Sequence, residues 1–159
     1  MATKTLPKTP FQLQGGCFCE AIRYKISVPE LSERKELPRA GMPADRLLMP
    51  LNEVNERMPL ITLDHCNSCR RAPGSIVHSW FICPPEWVEF TLEPRKSGDE
   101  KQKTDASCMA YLQEDKTLVE RTWVTHFNKS EHSNRTFCGR CGTQMTFFRL
   151  AAKTSRRVM

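Results

Sequence analysis

No stretch of this sequence approaches the run of about 18 apolar residues that a membrane span needs. The first ten residues, MATKTLPKTP, carry no apolar h-region of the kind a secretory leader shows. A membrane is therefore excluded as partner, and the chain is expected in a reducing compartment, the cytoplasm or the nucleus. There the sequons at Asn128 and Asn134 carry no meaning, since glycosylation acceptors matter in secreted chains. No repeat of fixed period runs through the sequence, which excludes solenoids and propellers. A long basic run is also missing; the cluster Lys153, Arg156 and Arg157 is short and the other basic residues are scattered, so nucleic acid is not the expected partner. The formal charge of +6, from 24 Lys plus Arg against 18 Asp plus Glu, reads as solubilising surface charge.

Cysteine is what the sequence has in excess: eight in 159 residues. In a secreted chain eight would suggest a disulfide framework, but in a reducing compartment they become metal or catalytic candidates. The length suits one domain with a real core, placed at residues 11–150 between short tails at 1–10 and 151–159.

Hydrophobic alternation predicts a mainly β fold. Ile22, Tyr24, Ile26 and Val28 alternate over residues 21–28, as a half-buried strand requires. Further strands are predicted over 75–83, 87–93, 118–127 and 144–150. Residues 29–59, rich in Pro, Met and charge, and the polar, Lys-rich residues 94–107 read as loop insertions, the first with a short helix near 45–56. Cysteine pairs stand on both sides of each insertion, so neither is a domain boundary.

Three clusters carry chemistry. Cys17 and Cys19 stand two apart in GGCFC, and in extended backbone they face one side while Phe18 turns away. Cys138 and Cys141 form a Cys-x2-Cys knuckle in FCGRCGT, whose glycines permit the tight turn. One pair at each end of the chain makes a closed set of four thiolates, which is what a structural zinc takes. Such a site offsets the basic balance, because zinc on four thiolates contributes a charge of about −2.

The third cluster is DHCNSCRRAPG. Asp64, two residues before Cys66, shares its face if the backbone there is extended. Asp64, Cys66 and Cys69 then supply three ligands and leave a fourth position open, the pattern of a catalytic zinc. The same residues also read as a surface turn with two unmetallated thiols. Arg70 and Arg71 read either as partners for substrate carboxylates or as solvent-facing charge. Cys83 and Cys108 stand alone and read as small buried hydrophobes or free surface thiols. His65 is expected to point away, and His78, His126 and His132 read as structural rather than as bases.

Gly-x-Cys-x-Cys before Ile-x-Tyr, then Cys-x2-Cys-Arg-Arg with Gly-Ser and Trp-Phe nearby, then Arg-x-Phe-Cys-x2-Cys-Gly-Thr, lie over residues 15–24, 66–82 and 127–147. This combination resembles the glutathione-dependent formaldehyde-activating enzyme family, which includes centromere protein V. The resemblance implies a β-tent fold with one zinc on Cys17, Cys19, Cys138 and Cys141 and a second near Cys66 and Cys69. It also implies condensation of glutathione with formaldehyde, formally carbon–sulfur lyase chemistry. Two departures stand out. Asp64 occupies the place of the first cysteine in the family's usual Cys-x-Cys-x2-Cys, which implies a stronger Lewis acid or an empty site. Family members also continue past the last knuckle with a further β segment, implying here a shortened substrate wall or a shortened chain. Two other classes remain in view: a same-fold enzyme of secondary metabolism, and a non-catalytic zinc module for chromatin or the cytoskeleton.

Overall fold

Strand β1 (Phe11–Gly16) turns back through residues 17–21 onto β2 (Ile22–Val28), with Gly16 opposite Arg23 and Phe11 opposite Val28. The turn is tight at its root. A Cβ on Gly16 would lie 2.3 Å from the Ile22 carbonyl oxygen, so only glycine lets the strands approach this closely. The computed structural model describes residues 6–37, 56–95, 103–130, 133–149 and 157–158.

In chain order follow β3 (Leu60–Asp64), a short helix α1 (Asn67–Arg71), β4 (His78–Ile82), β5 (Val88–Leu92) and β6 (Thr104–Ser107). Helices α2 (Cys108–Leu112) and α3 (Lys116–Arg121) then lead to β7 (Val124–Ser130), β8 (Ser133–Cys138), β9 (Gln144–Arg149) and β10 (Arg157–Val158). They make three antiparallel sheets: β1-β2-β5-β6, β10-β9-β8-β7, and the pair β3-β4. The mainly β expectation holds.

One core joins the two four-stranded sheets. Ile22, Val28, Phe90 and Leu92 come from the first, Val124, Cys138 and Phe148 from the second, and Tyr111 and Leu112 from α2. At its centre the Phe90 and Tyr111 rings stack 3.8 Å apart at 3°. The Tyr111 hydroxyl would be costly there without a partner; it meets Thr136 Oγ1 at 3.0 Å, which meets Thr146 Oγ1 at 2.6 Å. Cys83 and Cys108 belong to this core, where burial pushes each thiol up to about 12. They are packing residues, as one of the two readings of the sequence has it. A smaller cluster of Cys69, Trp80 and Ile82, with Leu60 and Phe147 against it, lies at the β3-β4 pair.

The strand expected over 118–127 is corrected in its first half. Asp115 caps a helix by accepting from the Leu118 N–H at 3.1 Å, and Lys116–Arg121 winds as α3 before β7 begins at Val124. A capping aspartate outweighs β-prone side chains over one turn. Residues 104–107, expected in a loop, form β6 against β5 because Ala106 buries opposite Phe90. Of the helix expected near 45–56, all but Glu56 falls outside the described residues; the flanks on either side meet, Glu36 bridging to Arg57. Among the described residues no helix is long and apolar enough to cross a membrane.

Replacing Phe90 by Ala removes half of the central stack, and the expected loss is about 3–5 kcal/mol of unfolding free energy. Urea unfolding at unchanged slope measures it; a loss below about 1 kcal/mol would place the ring outside the cooperative core.

Candidate metal centre and neighbouring cleft

The β1-β2 turn and the β8-β9 turn bring four thiols together. Cys17, Cys19, Cys138 and Cys141 place their sulfurs within 4.8 Å of one another. Cys19 Sγ lies 3.6 Å from both Cys17 Sγ and Cys138 Sγ. A disulfide needs about 2.05 Å, whereas the edge of a tetrahedron with metal–sulfur bonds of about 2.3 Å is about 3.8 Å. The spacing is that of a metal knuckle, and the cluster is capable of coordinating an ion.

Backbone donors complete it. The Ile22 N–H donates to Cys17 Sγ at 3.3 Å, and the N–H groups of Cys141 and Arg140 point at Cys138 Sγ. The second turn closes by Gly142 N–H to Cys138 O at 2.8 Å and Cys138 N–H to Thr143 O at 2.9 Å. Gly142 sits at φ 75°, a conformation that glycine adopts without strain. Thr143 Oγ1 lies 3.3 Å from Cys141 Sγ and accepts from the Phe18 N–H at 3.2 Å, so one hydroxyl ties the two turns. That hydroxyl, first among several donors, pulls the Cys141 thiol down to about 5. Burial pushes Cys138 up to about 12 and raises Cys17. Without a cation the four cannot all ionise at neutral pH; a soft divalent cation is what this donor set fits.

The third cysteine cluster is built differently. Cys66 caps α1 with its own backbone still extended, the helix begins at Asn67, and the Cys66 sulfur accepts from the Cys69 N–H at 3.4 Å. This N–H lowers the Cys66 thiol, whereas burial raises that of Cys69. Asp64, at the end of β3, faces Cys69 with Oδ2 4.0 Å from its sulfur. Asp64, Cys66 and Cys69 are thus neighbours, yet among the described residues only the four cysteines gather with all ligand atoms within 4.8 Å. Arg70 and Arg71 lie exposed in the last turn of α1, Arg70 donating to Asn67 Oδ1 at 3.1 Å. His65 is exposed, His126 meets Asn134 Oδ1 at 3.1 Å, and His132 lies outside the described residues.

Arg135 was not singled out by spacing. It lies on β8 three residues before Cys138, is 5 % exposed, and donates to Cys69 Sγ at 3.7 Å. Its guanidinium lies 4.5 Å from the Phe147 ring centre and 5.5 Å from that of Trp80, and Nη1 has no partner. Its strand, SNRTFC, shows no apolar alternation, and Asn134, Arg135 and Thr136 are all buried, so the sequence carries no local signal for it. His78, paired with Asp64 across β3-β4, meets the Trp80 ring in a tilted contact, centroids 4.0 Å apart; burial first, then Arg135, lowers its basicity. His78 and Trp80 also wall a cleft of about 380 Å³ shared with Tyr24, Phe90, Gln144 and Met145.

No family model matches the chain, and no curated protein matches it. The geometry has to carry the functional argument.

Two outcomes are expected for the four-thiol centre. Cys141→Ser abolishes high-affinity zinc binding there, while Cys83→Ser, a core change, retains the metal; zinc analysis of the purified variants checks this. Because protons and metal compete for the same sulfurs, affinity falls as pH falls: zinc is held at pH 7 and released towards pH 4, read with a colorimetric zinc indicator. Release that is independent of pH would argue against thiolate ligation.

Proposed function

We propose that the chain is a zinc-dependent enzyme of carbon–sulfur lyase type on a β-tent fold, adding a thiol such as glutathione to formaldehyde or a related small electrophile. The observation that carries this reading is the asymmetry of the two cysteine clusters. Four thiols close one centre with no free position, whereas Asp64, Cys66 and Cys69 form an incomplete set, whose neighbours His78 and Trp80 line a cleft. Closed thiolate sites are structural, and three-ligand sites with an open position are catalytic. Four soft sulfurs fit a structural zinc; Asp64, Cys66 and Cys69 offer one oxygen and two sulfurs for a second, although their ligand atoms do not gather within 4.8 Å of one another.

A zinc bound at the second set would supply a Lewis acid for a thiolate or a carbonyl oxygen. The chain's own residues do the remainder. Arg135 donates to Cys69 Sγ and fixes its direction, as groups behind a ligand commonly do. Trp80 and Phe147 shield that guanidinium from water. Arg70 and Arg71, exposed at the end of α1, are free to meet the carboxylates of a glutathione-like thiol. In the reaction the sulfur–carbon bond forms as the carbonyl π pair moves to oxygen, and that oxygen ends with the proton the thiol gave up. Nothing is oxidised or reduced.

A second reading, a same-fold enzyme acting on another small molecule, is favoured by the apolar lining of the cleft. Both readings place a second zinc at Asp64. Wild-type protein is expected to hold about two zinc ions per chain and Asp64→Ala about one, with Asp64→Cys restoring the second. About one zinc in all three proteins would remove the enzyme reading. Isotope-labelled formaldehyde and glutathione, followed by NMR, separate the two readings: a rate equal to the uncatalysed background excludes this substrate pair.

A further inference from the structure

Cys66 and Cys69 differ in a way that holding a metal does not require. Of the eight cysteines, Cys66 alone is exposed, whereas Cys69 is buried at 7 % exposure. Cys83 and Cys108 are shut in the core, and the other four gather in one cluster. Cys66 Sγ lies 3.4 Å from the Cys69 backbone nitrogen. Residues three apart along a helix have Cα atoms about 5 Å apart, inside the span of about 4.4–6.8 Å that a disulfide bridges. Side-chain rotation therefore suffices to join these two sulfurs.

The buried sulfur has two partners. Cys69 donates to Asp64 Oδ2 at 4.0 Å, and Arg135, itself 5 % exposed, donates to Cys69 Sγ at 3.7 Å. Arg135 Nη1 has no partner, so a sulfur that becomes negative here meets a buried cation with a donor to spare. The exposed sulfur stands near positive charge of another kind. Residues 65–72 contain Arg70 and Arg71 and no acid, and both arginines are exposed in the last turn of α1. The pair thus offers one accessible thiol, a hidden thiol one turn away, and a cationic approach.

We propose that Cys66 and Cys69 form a redox-active dithiol that exchanges with small disulfides bearing carboxylates. Cys66 attacks one sulfur of the incoming disulfide; that S–S bond breaks, and one thiol leaves with the proton that Cys66 gave up. Cys69 then attacks Cys66 Sγ in the mixed disulfide, and the second thiol leaves with the Cys69 proton. The incoming disulfide gains two electrons, and the pair loses two and ends as a Cys66–Cys69 disulfide. Excess thiol drives the same steps backwards. Arg70 and Arg71 meet the carboxylates of the incoming molecule. This activity goes beyond the lyase reading, because a zinc on these sulfurs and a bond between them exclude each other.

Full-length protein carrying one zinc per chain is equilibrated in buffers of rising glutathione disulfide to glutathione ratio, quenched with an alkylating agent, and read by peptide mass. Cys66 and Cys69 are expected to pass from both alkylated to joined to each other, while Cys83 and Cys108 remain thiols. Cys69→Ser is expected to stop at a mixed disulfide on Cys66. Cys66→Ser is expected to consume glutathione disulfide at least about 10-fold more slowly than wild type. The double change Arg70→Gln with Arg71→Gln is expected to slow glutathione disulfide about 10-fold and to leave uncharged hydroxyethyl disulfide unaffected. Adding a second equivalent of zinc separates this inference from the lyase reading. If that zinc binds and slows the exchange, both sites stand; if it does not bind and the disulfide still forms, the second zinc falls and the dithiol stands. A wild-type protein that keeps both thiols alkylated at the highest ratio, or that ends as a lasting mixed disulfide on Cys66, overturns the proposal.

Discussion

Cys19 meets Cys138 across 119 residues of chain, and the two four-stranded sheets are tied where those sulfurs meet. Everything else in the molecule is arranged around that junction. Each turn is stiff by itself: Gly16 lets β1 and β2 close together, and Gly142 lets the knuckle aim its N–H groups at Cys138. Stiff turns alone would not hold four sulfurs about a common point, because thiolates repel and thiols attract only weakly. The spacing of 3.6 Å makes sense with a cation between them. A metal held there would fasten the two turns to each other.

The second cysteine cluster shows how a small change of backbone reshapes a ligand set. Extended chain would put Asp64 and Cys66 on one face. The backbone is still extended at Cys66; α1 starts one residue later and brings Cys69 round to face the Asp64 carboxylate. Arg135 enters from β8, an element distant in sequence, and brings positive charge to the same sulfur. The result is a sulfur held between a carboxylate and a guanidinium, with the Trp80 ring, which also lines the cleft, packed against it.

The strands at Ile22–Val28 and Val88–Leu92 were legible because alternation is a local property, and those at His78–Ile82 and Gln144–Arg149 because β-prone side chains run together there. The four-cysteine cluster was legible because metal ligands need particular spacings within each pair. What escaped depended on partners far along the chain. Strand β6 exists because Ala106 finds Phe90, and its own sequence, TDAS, carries little hydrophobic signal. Helix α3 hid inside a β-prone run because its start rests on one hydrogen bond from Leu118 to Asp115. Arg135 looked like any surface cation until Trp80 and Phe147, from two other strands, were seen to enclose it.

The fastening also sets an order of events during synthesis. Cys17 and Cys19 leave the ribosome 119 residues or more ahead of Cys138, which at about 5–20 residues per second is a delay of about 6–24 s. For that interval the first pair is half a site. It holds thiols able to take up a wrong metal or an oxidant before the proper partners exist. The first hairpin therefore waits with unpaired thiols until the last knuckle arrives, and a metal taken up at that moment would add a second tie to the core that already joins the sheets.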